Sequence, residues 1–69
     1  MEKIKIKTEF IKLDQLLKLA GIVGNGSEGK YLILEGNVKV NGQPETRRGK
    51  KIYPKDVVEV GSETISVEL

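Results

Sequence analysis

Residues 12–42 read KLDQLLKLAGIVGNGSEGKYLILEGNVKVNG, and this stretch decides the fold of the chain. Its first part repeats apolar residues at the spacing of one helical face, namely Leu13, Leu16, Leu17 and Ala20. Gly21 and Gly36 each follow an apolar run, at the place where a helix C-terminus favours a residue that tolerates positive φ. The pattern predicts two helices packed as a pair, at about residues 10–20 and 27–35.

The start of the second helix has the outline of a capping box. Asn25 is followed three residues later by Glu28, although Ser27 is an alternative N-cap. Gly29 lies inside the same helix and costs roughly 1 kcal/mol of helix propensity relative to alanine. Packing must therefore hold this helix, and we expect the glycine to let the two helices approach each other closely.

β-structure is predicted on both sides of the helix pair. Residues 3–7 alternate isoleucine with lysine, which is typical of a strand with one solvent-exposed face. The lysines would also protect a sheet edge from pairing with another chain. After the helices, residues 38–42 read VKVNG, and Asn41-Gly42 accepts the positive φ values of a type I′ hairpin turn. The returning strand, at residues 43–46, contains Pro44 and is therefore expected at a sheet edge.

The remaining residues are predicted to complete a small sheet. A turn is expected at Pro54-Lys55-Asp56, and Gly61-Ser62 separates two alternating apolar stretches at 57–60 and 64–67. Residues 1–69 have the length of one domain and contain no internal repeat. The predicted fold class is α+β, with a two-helix pair packed on a small, mostly antiparallel β-sheet.

Composition excludes several kinds of chemistry. The chain has no cysteine and no histidine, so thiolate ligands, imidazole ligands and the commonest general base are absent, and we expect no metal or cofactor. No apolar run approaches the ~18 residues of a membrane span, and no signal-peptide-like stretch follows the basic start. We therefore expect a soluble cytoplasmic protein.

Catalysis is not predicted. The acidic residues are spread among basic neighbours, and no two of them have the spacing of a general acid and base. Residues 24–29, which read GNGSEG, have the outline of a phosphate-binding glycine loop, but no Gly-Lys-Ser/Thr follows and no strand precedes them. We expect neither an enzyme nor a protein with a small-molecule substrate.

Charge is unevenly distributed along the chain, whose net charge is only +2. Residues 47–55, the basic segment, contain five basic residues and no acidic one, whereas residues 56–69 contain acidic residues and no basic one. A positive segment on a small domain attracts polyanions, although such a run is in other proteins often a solvated turn. The neighbouring hairpin and helix pair favour nucleic acid as the partner.

The candidate RNA-binding residues include arginines, whose planar guanidinium groups donate several hydrogen bonds to phosphate oxygens, and lysines, which carry a charge on a flexible side chain. This mixture suits a phosphate backbone. They are Lys12, Lys18, Lys30, Lys39, Asn41, Arg47, Arg48, Lys50 and Lys51. For Asn41, pure turn chemistry and a contact to RNA both remain open. Aromatic residues are few, and Phe10 and Tyr31 are expected in the core, so recognition of a structured RNA by shape and backbone is favoured over base stacking.

The order of these motifs resembles a known family. A basic-Leu-Asp helix start, a second helix ending in glycine, a Val-x-Val-Asn-Gly hairpin and a Gly…Asp-x-Val ending are typical of ribosomal-protein S-four-type RNA-binding domains, which contain the alpha-L motif. This chain has them in residues 12–21, 29–42 and 49–58. The resemblance is greatest to small stand-alone bacterial members, the YaaA- and YbcJ-like proteins, whose Glu-x-Arg-Arg/Lys corresponds to residues 45–48 here.

The resemblance implies an alpha-L fold and a non-catalytic RNA-binding module whose partner is ribosomal or transfer RNA and, through such RNA, the ribosome. Many family members carry Ser-Arg at the start of the second helix, where the arginine contacts RNA. This chain has Asn25-Gly26 at that place. The arginine contact is therefore lost here, and we expect Lys30, one turn later, to replace it only in part.

Two further questions remain open at the level of sequence. One alternative to RNA binding is a protein-interaction adaptor that docks a partner through its acidic C-terminal hairpin or through a strand edge. The other question concerns Arg48, which either contacts RNA or anchors the hairpin through an ion pair with a carboxylate such as Glu45. The salt dependence of binding and the stability of an Arg48 variant separate these alternatives.

Overall fold

The computed structural model of the protein describes all residues from 1 to 69. In chain order its elements are β1 (Glu2–Lys5), β2 (Ile11–Lys12), α1 (Leu13–Leu19), α2 (Gly26–Leu34), β3 (Val38–Val40), β4 (Gln43–Pro44), β5 (Lys51–Ile52), β6 (Val57–Val60) and β7 (Glu63–Glu68). Neither helix has the length and apolar character needed to cross a membrane.

Five strands form the larger sheet, in the order β1-β7-β6-β3-β4. β1 pairs with β7 in parallel, and the other three pairings are antiparallel. The lysine-rich β1 and the proline-containing β4 lie at the two edges, as their sequences predict. The remaining strands, β2 and β5, form a separate antiparallel ladder of two residues each.

The core contains apolar side chains from both helices and from the strands. α1 buries Leu13, Leu16 and Leu17 completely, at the helical spacing seen in the sequence, and α2 buries Ile33. The strands contribute further fully buried side chains, among them Val38, Ile52, Val58 and Ile65. Because Ile52 belongs to β5, the small ladder is anchored in the same core as the larger sheet.

α1 begins at Leu13, later than the predicted start at about residue 10. The reason is a long-range one, because β2 occupies the two preceding residues and pairs with β5. No side chain caps the helix. Instead, the N–H groups of Leu13 and Asp14 donate to the carbonyl oxygens of Lys50 and Arg48, at 2.9 and 3.1 Å. The main chain of the basic segment therefore caps α1.

α2 begins at Gly26, one residue earlier than predicted. Asn25 is its N-cap, and the side-chain Oδ1 of Asn25 accepts from the N–H of Glu28 at 3.0 Å. The Glu28 carboxylate accepts in turn from the N–H of Gly24 at 3.2 Å. The predicted N-cap at Asn25 is thus confirmed, and the return bond of a capping box goes to the N–H of Gly24, one residue before the cap. The alternative cap, Ser27, lies inside the helix.

Both helices end in the same way. Gly21 and Gly36 have φ values of +77° and +80°, and the residues that follow them donate N–H bonds back to the carbonyl oxygens of Leu17 and Leu32, at 3.0 and 3.1 Å. This arrangement satisfies carbonyl groups that a helix C-terminus leaves unpaired. The two predicted helix ends are therefore confirmed.

Gly29 is buried at the contact between the helices, but the contact does not require a glycine. A Cβ built on Gly29 would lie 3.6 Å from Cγ2 of Val23 and 3.7 Å from the carbonyl oxygen of Asp14. These are ordinary van der Waals distances. Gly29 thus lies where the two helices approach each other, as expected, and the packing also leaves room for a methyl group there.

Candidate nucleic-acid interface

The ladder of β2 and β5 joins two segments that are far apart in the chain. Its register places Ile11 opposite Ile52 and Lys12 opposite Lys51. The isoleucine pair faces the core, where Ile52 is fully buried, whereas both lysines are exposed. Two cations of the predicted site therefore face each other directly across two strands.

An aromatic pair extends the ladder at its outer end. One residue beyond the paired strands, Phe10 lies opposite Tyr53, with ring centroids 5.8 Å apart and ring planes tilted by 48°. The amino group of Lys51 lies 4.9 Å from the centroid of the Phe10 ring. Because side chains alternate along a strand, Phe10, Lys12, Lys51 and Tyr53 share the side away from the isoleucines. We call this surface the ladder face.

The expectation that Phe10 and Tyr31 are core residues is wrong. Phe10 is half-buried at the ladder face, and Tyr31 on α2 has 64% of its surface exposed. α2 turns Gly29 and Ile33 toward the core, and Tyr31, midway between them in sequence, lies on the opposite side of the helix. With Tyr53 41% exposed, the molecule presents more aromatic surface than the sequence pattern predicts.

The basic segment is held in place by its main chain. The carbonyl oxygen of Arg47 accepts from the N–H of Lys50 at 3.1 Å and closes a turn, while the carbonyl groups of Arg48 and Lys50 cap α1. The side chains of Arg48 and Lys50 form no ion pair within the chain. The cation of Arg48 is exposed, whereas Lys50 is half-buried and lies close enough to the Glu45 carboxylate to help lower its pKa.

Glu45 and Arg47 form the one ion pair of the structure. Arg47 donates from Nε to Oε2 and from Nη2 to Oε1, at 3.0 and 3.1 Å, and the N–H groups of Thr46 and Arg47 also donate to Oε2. The bonds from the Arg47 side chain and main chain lower the pKa of Glu45 to about 2, and the carboxylate raises the pKa of Arg47. The alternative in which Arg48 pairs with Glu45 is therefore wrong.

Asn41 ties the hairpin turn to the segment after the ladder. Its Oδ1 accepts from the N–H of Val57 at 2.9 Å, and its Nδ2 donates to Oδ1 of Asp56 at 3.0 Å. Oδ2 of Asp56 accepts in turn from the N–H of Tyr53 at 2.8 Å. Asn41 and Gly42 have φ values of 51° and 83°, as a type I′ turn requires. The turn role of Asn41 is thereby confirmed, and its amide is engaged within the chain.

Two open depressions adjoin Tyr53. The first contains no acidic side chain and is lined by Arg47, Gly49, Lys50, Lys51 and Tyr53. The second is lined by Tyr53 and the same two lysines, together with Val40, Asn41, Gln43, Glu45 and Asp56. Tyr53 therefore stands between a cationic depression and a polar one.

Comparison with protein families places nearly the whole chain in one of them. Residues 4–68 match the model of the S4 domain. The chain belongs to the S4 domain family. The matched residues include both helices, the hairpin, the ladder and the basic segment.

Two bacterial relatives of this S4 domain are close to it in length. The probable ribosome maturation protein RlbA of Bacillus subtilis is 47% identical over 57 residues, which are 83% of this chain and 80% of that protein. YbcJ of Escherichia coli is 38% identical over 61 residues, which are 88% of this chain and 87% of that protein.

Solved structures agree with the family assignment. The solution structure of E. coli YbcJ, described as revealing an alpha-L motif involved in RNA binding, is 34% identical and has a TM-score of 0.77, covering 100% of this chain and 89% of that one. The ribosomal protein S4e of Thermoplasma acidophilum, 22% identical, shares the fold at a TM-score of 0.63 over 84% of this chain and 31% of its own. The predicted family, α+β fold class and RNA-binding domain are confirmed.

The S4 domain brings five of the nine predicted site residues together around the ladder, namely Lys12, Arg47, Arg48, Lys50 and Lys51. Lys39 is separate from them, because it faces Glu59 across β3 and β6 and lines another depression. Lys18 lies in the last turn of α1 and Lys30 on α2, and both are exposed. The predicted site thus divides into one cluster and three outlying lysines, with Asn41 as a support beside the cluster.

Sequence reasoning missed Phe10 and Tyr53 as surface aromatics of the site, and it missed Asp56 as the residue that holds Tyr53. One signal could have found the aromatic pair. Residues 10–12 read FIK and residues 51–53 read KIY, so antiparallel pairing matches aromatic with aromatic, isoleucine with isoleucine and lysine with lysine. Aromatic cross-strand pairs are favourable, which makes this mirror order a usable pairing signal.

Proposed function

We propose that this S4 domain binds structured ribosomal or transfer RNA, without catalysis, through the cation cluster around the ladder. The observation that carries the proposal is the position of Lys12 directly opposite Lys51. Like charges directly opposite on two strands repel each other and weaken a ladder. The phosphates of an RNA backbone would relieve this repulsion, so that the same pairing becomes favourable in the bound state.

Affinity in this proposal comes from neutralising phosphates, and selectivity comes from the fixed placement of the cations. Arg48 offers a planar fork of donors to phosphate oxygens, whereas Lys12, Lys50 and Lys51 act as point charges. Arg47 contributes less, because the Glu45 carboxylate occupies two of its donors. Contacts of this kind read the geometry of a folded RNA rather than its sequence.

The outlying lysines extend the contact when the RNA is large. Lys30 is the exposed cation of α2. Gly26 stands where many family members carry the arginine, and it has no side chain to make that contact. Lys18 offers a second contact on α1, and Lys39 a third on β3, weakened by the facing Glu59. Asn41 acts in this proposal by positioning Asp56 rather than by direct binding.

The relatives favour ribosomal RNA as the partner. RlbA is named as a probable ribosome maturation protein, and the YbcJ structure is described as having a motif involved in RNA binding. Ribosomal RNA or a ribosome precursor in the cytoplasm is therefore the first partner to test, and transfer RNA is the second.

A salt titration tests the proposal. If about four cations each neutralise one phosphate, a plot of log K against log salt concentration has a slope of roughly −3 to −4. The measurement uses a labelled ribosomal RNA hairpin, with a transfer RNA in parallel. A slope near zero, or no binding at low salt, contradicts the proposal and favours a protein partner.

Two neighbouring arginines provide a matched control. Arg48→Ala removes a free cation, so RNA affinity and the steepness of the salt slope decrease, the latter by about one unit. Stability changes by no more than about 0.5 kcal/mol, because the side chain makes no ion pair. Arg47→Ala removes the cation already paired with Glu45, and we expect a smaller loss of affinity. Equal losses of RNA affinity in the two variants would show that Arg47 contacts RNA as strongly as Arg48 does, in spite of its ion pair with Glu45.

One observation keeps a protein-interaction adaptor as the second candidate. Tyr31 and Leu34 lie one turn apart on α2 and are 64% and 54% exposed, and Leu19 on α1 is 57% exposed. Exposed apolar side chains of this kind are found at protein interfaces. The double variant Tyr31→Ser, Leu34→Ser separates the candidates, because it would abolish adaptor binding and leave RNA affinity at the ladder unchanged.

A further inference from the structure

We infer that the ladder face holds one unpaired RNA nucleotide, with its base stacked on Tyr53 and its phosphate bound by Lys51 and the neighbouring cations. This inference rests on the proposed RNA binding and adds a specific kind of contact to it. It departs from the expectation, drawn from the scarcity of aromatic residues, that recognition by shape and backbone is favoured over base stacking.

Tyr53 has the exposure and the surroundings of a stacking residue. It is 41% exposed and lines a depression whose charged side chains are all cationic: Arg47, Lys50 and Lys51. A solvent-facing ring beside cations offers a nucleotide both of the groups it needs, a π-face for the base and positive charge for the phosphate. An apolar peptide would gain the ring but would bring no anion to the lysines.

Tyr53 is also fixed before any ligand arrives. Its N–H donates to Oδ2 of Asp56 at 2.8 Å, and its carbonyl oxygen accepts from the N–H of Asp56 at 3.0 Å. Phe10 supports the ring at a centroid distance of 5.8 Å. The main chain at Tyr53 therefore loses little conformational freedom when a base stacks on the ring, and this preorganisation favours binding.

The lysine pair indicates where the phosphate lies. Lys12 and Lys51 face each other in the register, and the Lys51 amino group is drawn to 4.9 Å from the Phe10 centroid. Lys51 therefore belongs both to the aromatic surface and to the cation pair. A phosphate next to a base stacked on Tyr53 meets Lys51 first, and Lys12 and Lys50 flank that position.

The occupant is an unpaired nucleotide rather than a duplex. Bases inside an A-form helix are stacked on their neighbours and cannot be reached by a ring, whereas bulged and loop bases can turn outward. The polar depression on the other side of Tyr53 is lined by Gln43, by the carboxylates of Glu45 and Asp56, and by Asn41, whose amide is engaged within the chain. A base that turns outward onto Tyr53 would have the Gln43 amide near its edge.

The test uses an RNA hairpin with one bulged adenosine and the same hairpin with an abasic residue at the bulge. The abasic RNA keeps every phosphate and loses only the base. We expect the wild-type protein to bind it about five-fold to a hundred-fold more weakly, the range found when a stacked base loses its aromatic partner. Tyr53→Ala should bind both RNAs equally, and Tyr53→Phe should retain the preference for the bulged base.

Tyrosine fluorescence gives a second readout that does not remove Tyr53. The chain has no tryptophan and two tyrosines, so Tyr31→Phe leaves Tyr53 as the only emitter and Tyr53→Phe leaves Tyr31. Bulged RNA should quench Tyr53 strongly and abasic RNA should quench it much less, whereas Tyr31 should respond equally to both.

The outcomes separate the inference from the function on which it rests. Equal affinity of the wild-type protein for the bulged and abasic RNAs, with equal quenching of Tyr53, overturns the stacking inference and leaves RNA binding intact. Absence of binding to both RNAs at low salt overturns the proposed function, and the stacking inference with it.

Discussion

The two sheets of this S4 domain differ in the charges that face each other across neighbouring strands. In the larger sheet, Lys39 on β3 faces Glu59 on β6, so opposite charges are neighbours across the strands. In the small ladder, Lys12 on β2 faces Lys51 on β5. Opposite charges stabilise a cross-strand pair by roughly 0.2–1 kcal/mol, and like charges weaken it.

The difference shows which part of the molecule is arranged for stability and which for binding. The larger sheet contributes most of the buried strand residues. The ladder is held from beneath by Ile52 and at its end by main-chain bonds to α1. Because these supports are independent of the lysines, the ladder can tolerate a repulsion that only an anion relieves.

Asp56 connects the two sheets, and its loss should have the largest effect on stability. Its carboxylate accepts from Asn41 Nδ2 of the hairpin and from the N–H of Tyr53 beside the ladder. Asp56→Ala leaves both donors without this acceptor, and we expect a loss of about 1.5–3 kcal/mol in the free energy of unfolding. Urea unfolding followed by circular dichroism measures it.

Asp56→Asn is the matched control, because it keeps one side-chain oxygen and should lose less stability than the alanine variant. If Asp56→Ala unfolds at the wild-type midpoint, the carboxylate does not connect the sheets, and the positioning argument for Tyr53 fails with it.

The hairpin turn of the larger sheet should show the next largest effect. Gly42 has φ of +83°, and Gly42→Val places a β-branched residue in the left-handed region, at a cost of about 1–2 kcal/mol. Gly49 in the basic segment is the control, because its φ is not positive and a Cβ there would meet no atom within 4 Å. Thermal melting should separate Gly42→Val from Gly49→Val. Equal melting temperatures would show that the turn is not held in its type I′ form.

The sequence predicts the larger sheet well because its evidence is local. Alternating residues, the Asn41-Gly42 turn and two glycine helix ends each act within a few neighbours. The turn and the helix ends are found where predicted, whereas β1 covers residues 2–5 rather than 3–7 and β4 covers 43–44 rather than 43–46. The small ladder was not predicted, because two-residue strands have no periodicity to detect. The sequence indicates it only through FIK at residues 10–12 and KIY at residues 51–53, which have the same residue types in reverse order. This match predicts antiparallel pairing only when distant segments are compared with each other.

The same limit explains the errors at the site. The predicted start of α1 is too early because the local pattern does not reveal β2, and Phe10 is not a core residue because it pairs with Tyr53, which is distant in sequence. The choice between Arg47 and Arg48 as the partner of Glu45 depends on how the chain turns after β4, which residue type does not reveal. Local order was therefore predictable, and the site assembled by long-range pairing was only partly so.

The segment between the sheets should show a smaller effect, visible as a dependence of stability on pH. Hydrogen bonds from Arg47 lower the pKa of Glu45 from 4.5 to about 2 in the folded state. The unfolded chain therefore binds the proton more tightly, and the stabilisation is fully present above about pH 4.5 and is lost as pH falls toward 2. Melting temperatures of wild type and Glu45→Gln should differ at pH 6 and converge at low pH. A difference independent of pH would show that the ion pair is absent in solution.

The smallest expected changes in stability come from reversing one lysine charge in each sheet, and they test the difference between the two sheets most directly. Lys12→Glu and Lys39→Glu make the same change in net charge at two exposed strand positions. Lys12→Glu converts a repulsive pair into an attractive one and places an acid at the N-terminus of α1, so we expect a gain of about 0.5–1 kcal/mol. Lys39→Glu sets two acids opposite each other and should lose about 0.5 kcal/mol.

RNA affinity should not follow stability in this pair of variants, because the more stable variant should bind RNA more weakly. Lys12→Glu removes a cation of the ladder cluster and should weaken RNA binding more than Lys39→Glu, although it makes the protein more stable. Lys12→Gln removes the repulsion from Lys51 without placing an acid at the N-terminus of α1. It should therefore give a smaller gain in stability than Lys12→Glu. If Lys12→Glu instead destabilises the protein as Lys39→Glu does, the two lysines of the ladder do not repel each other, and the distinction between a sheet arranged for stability and a ladder arranged for binding is lost.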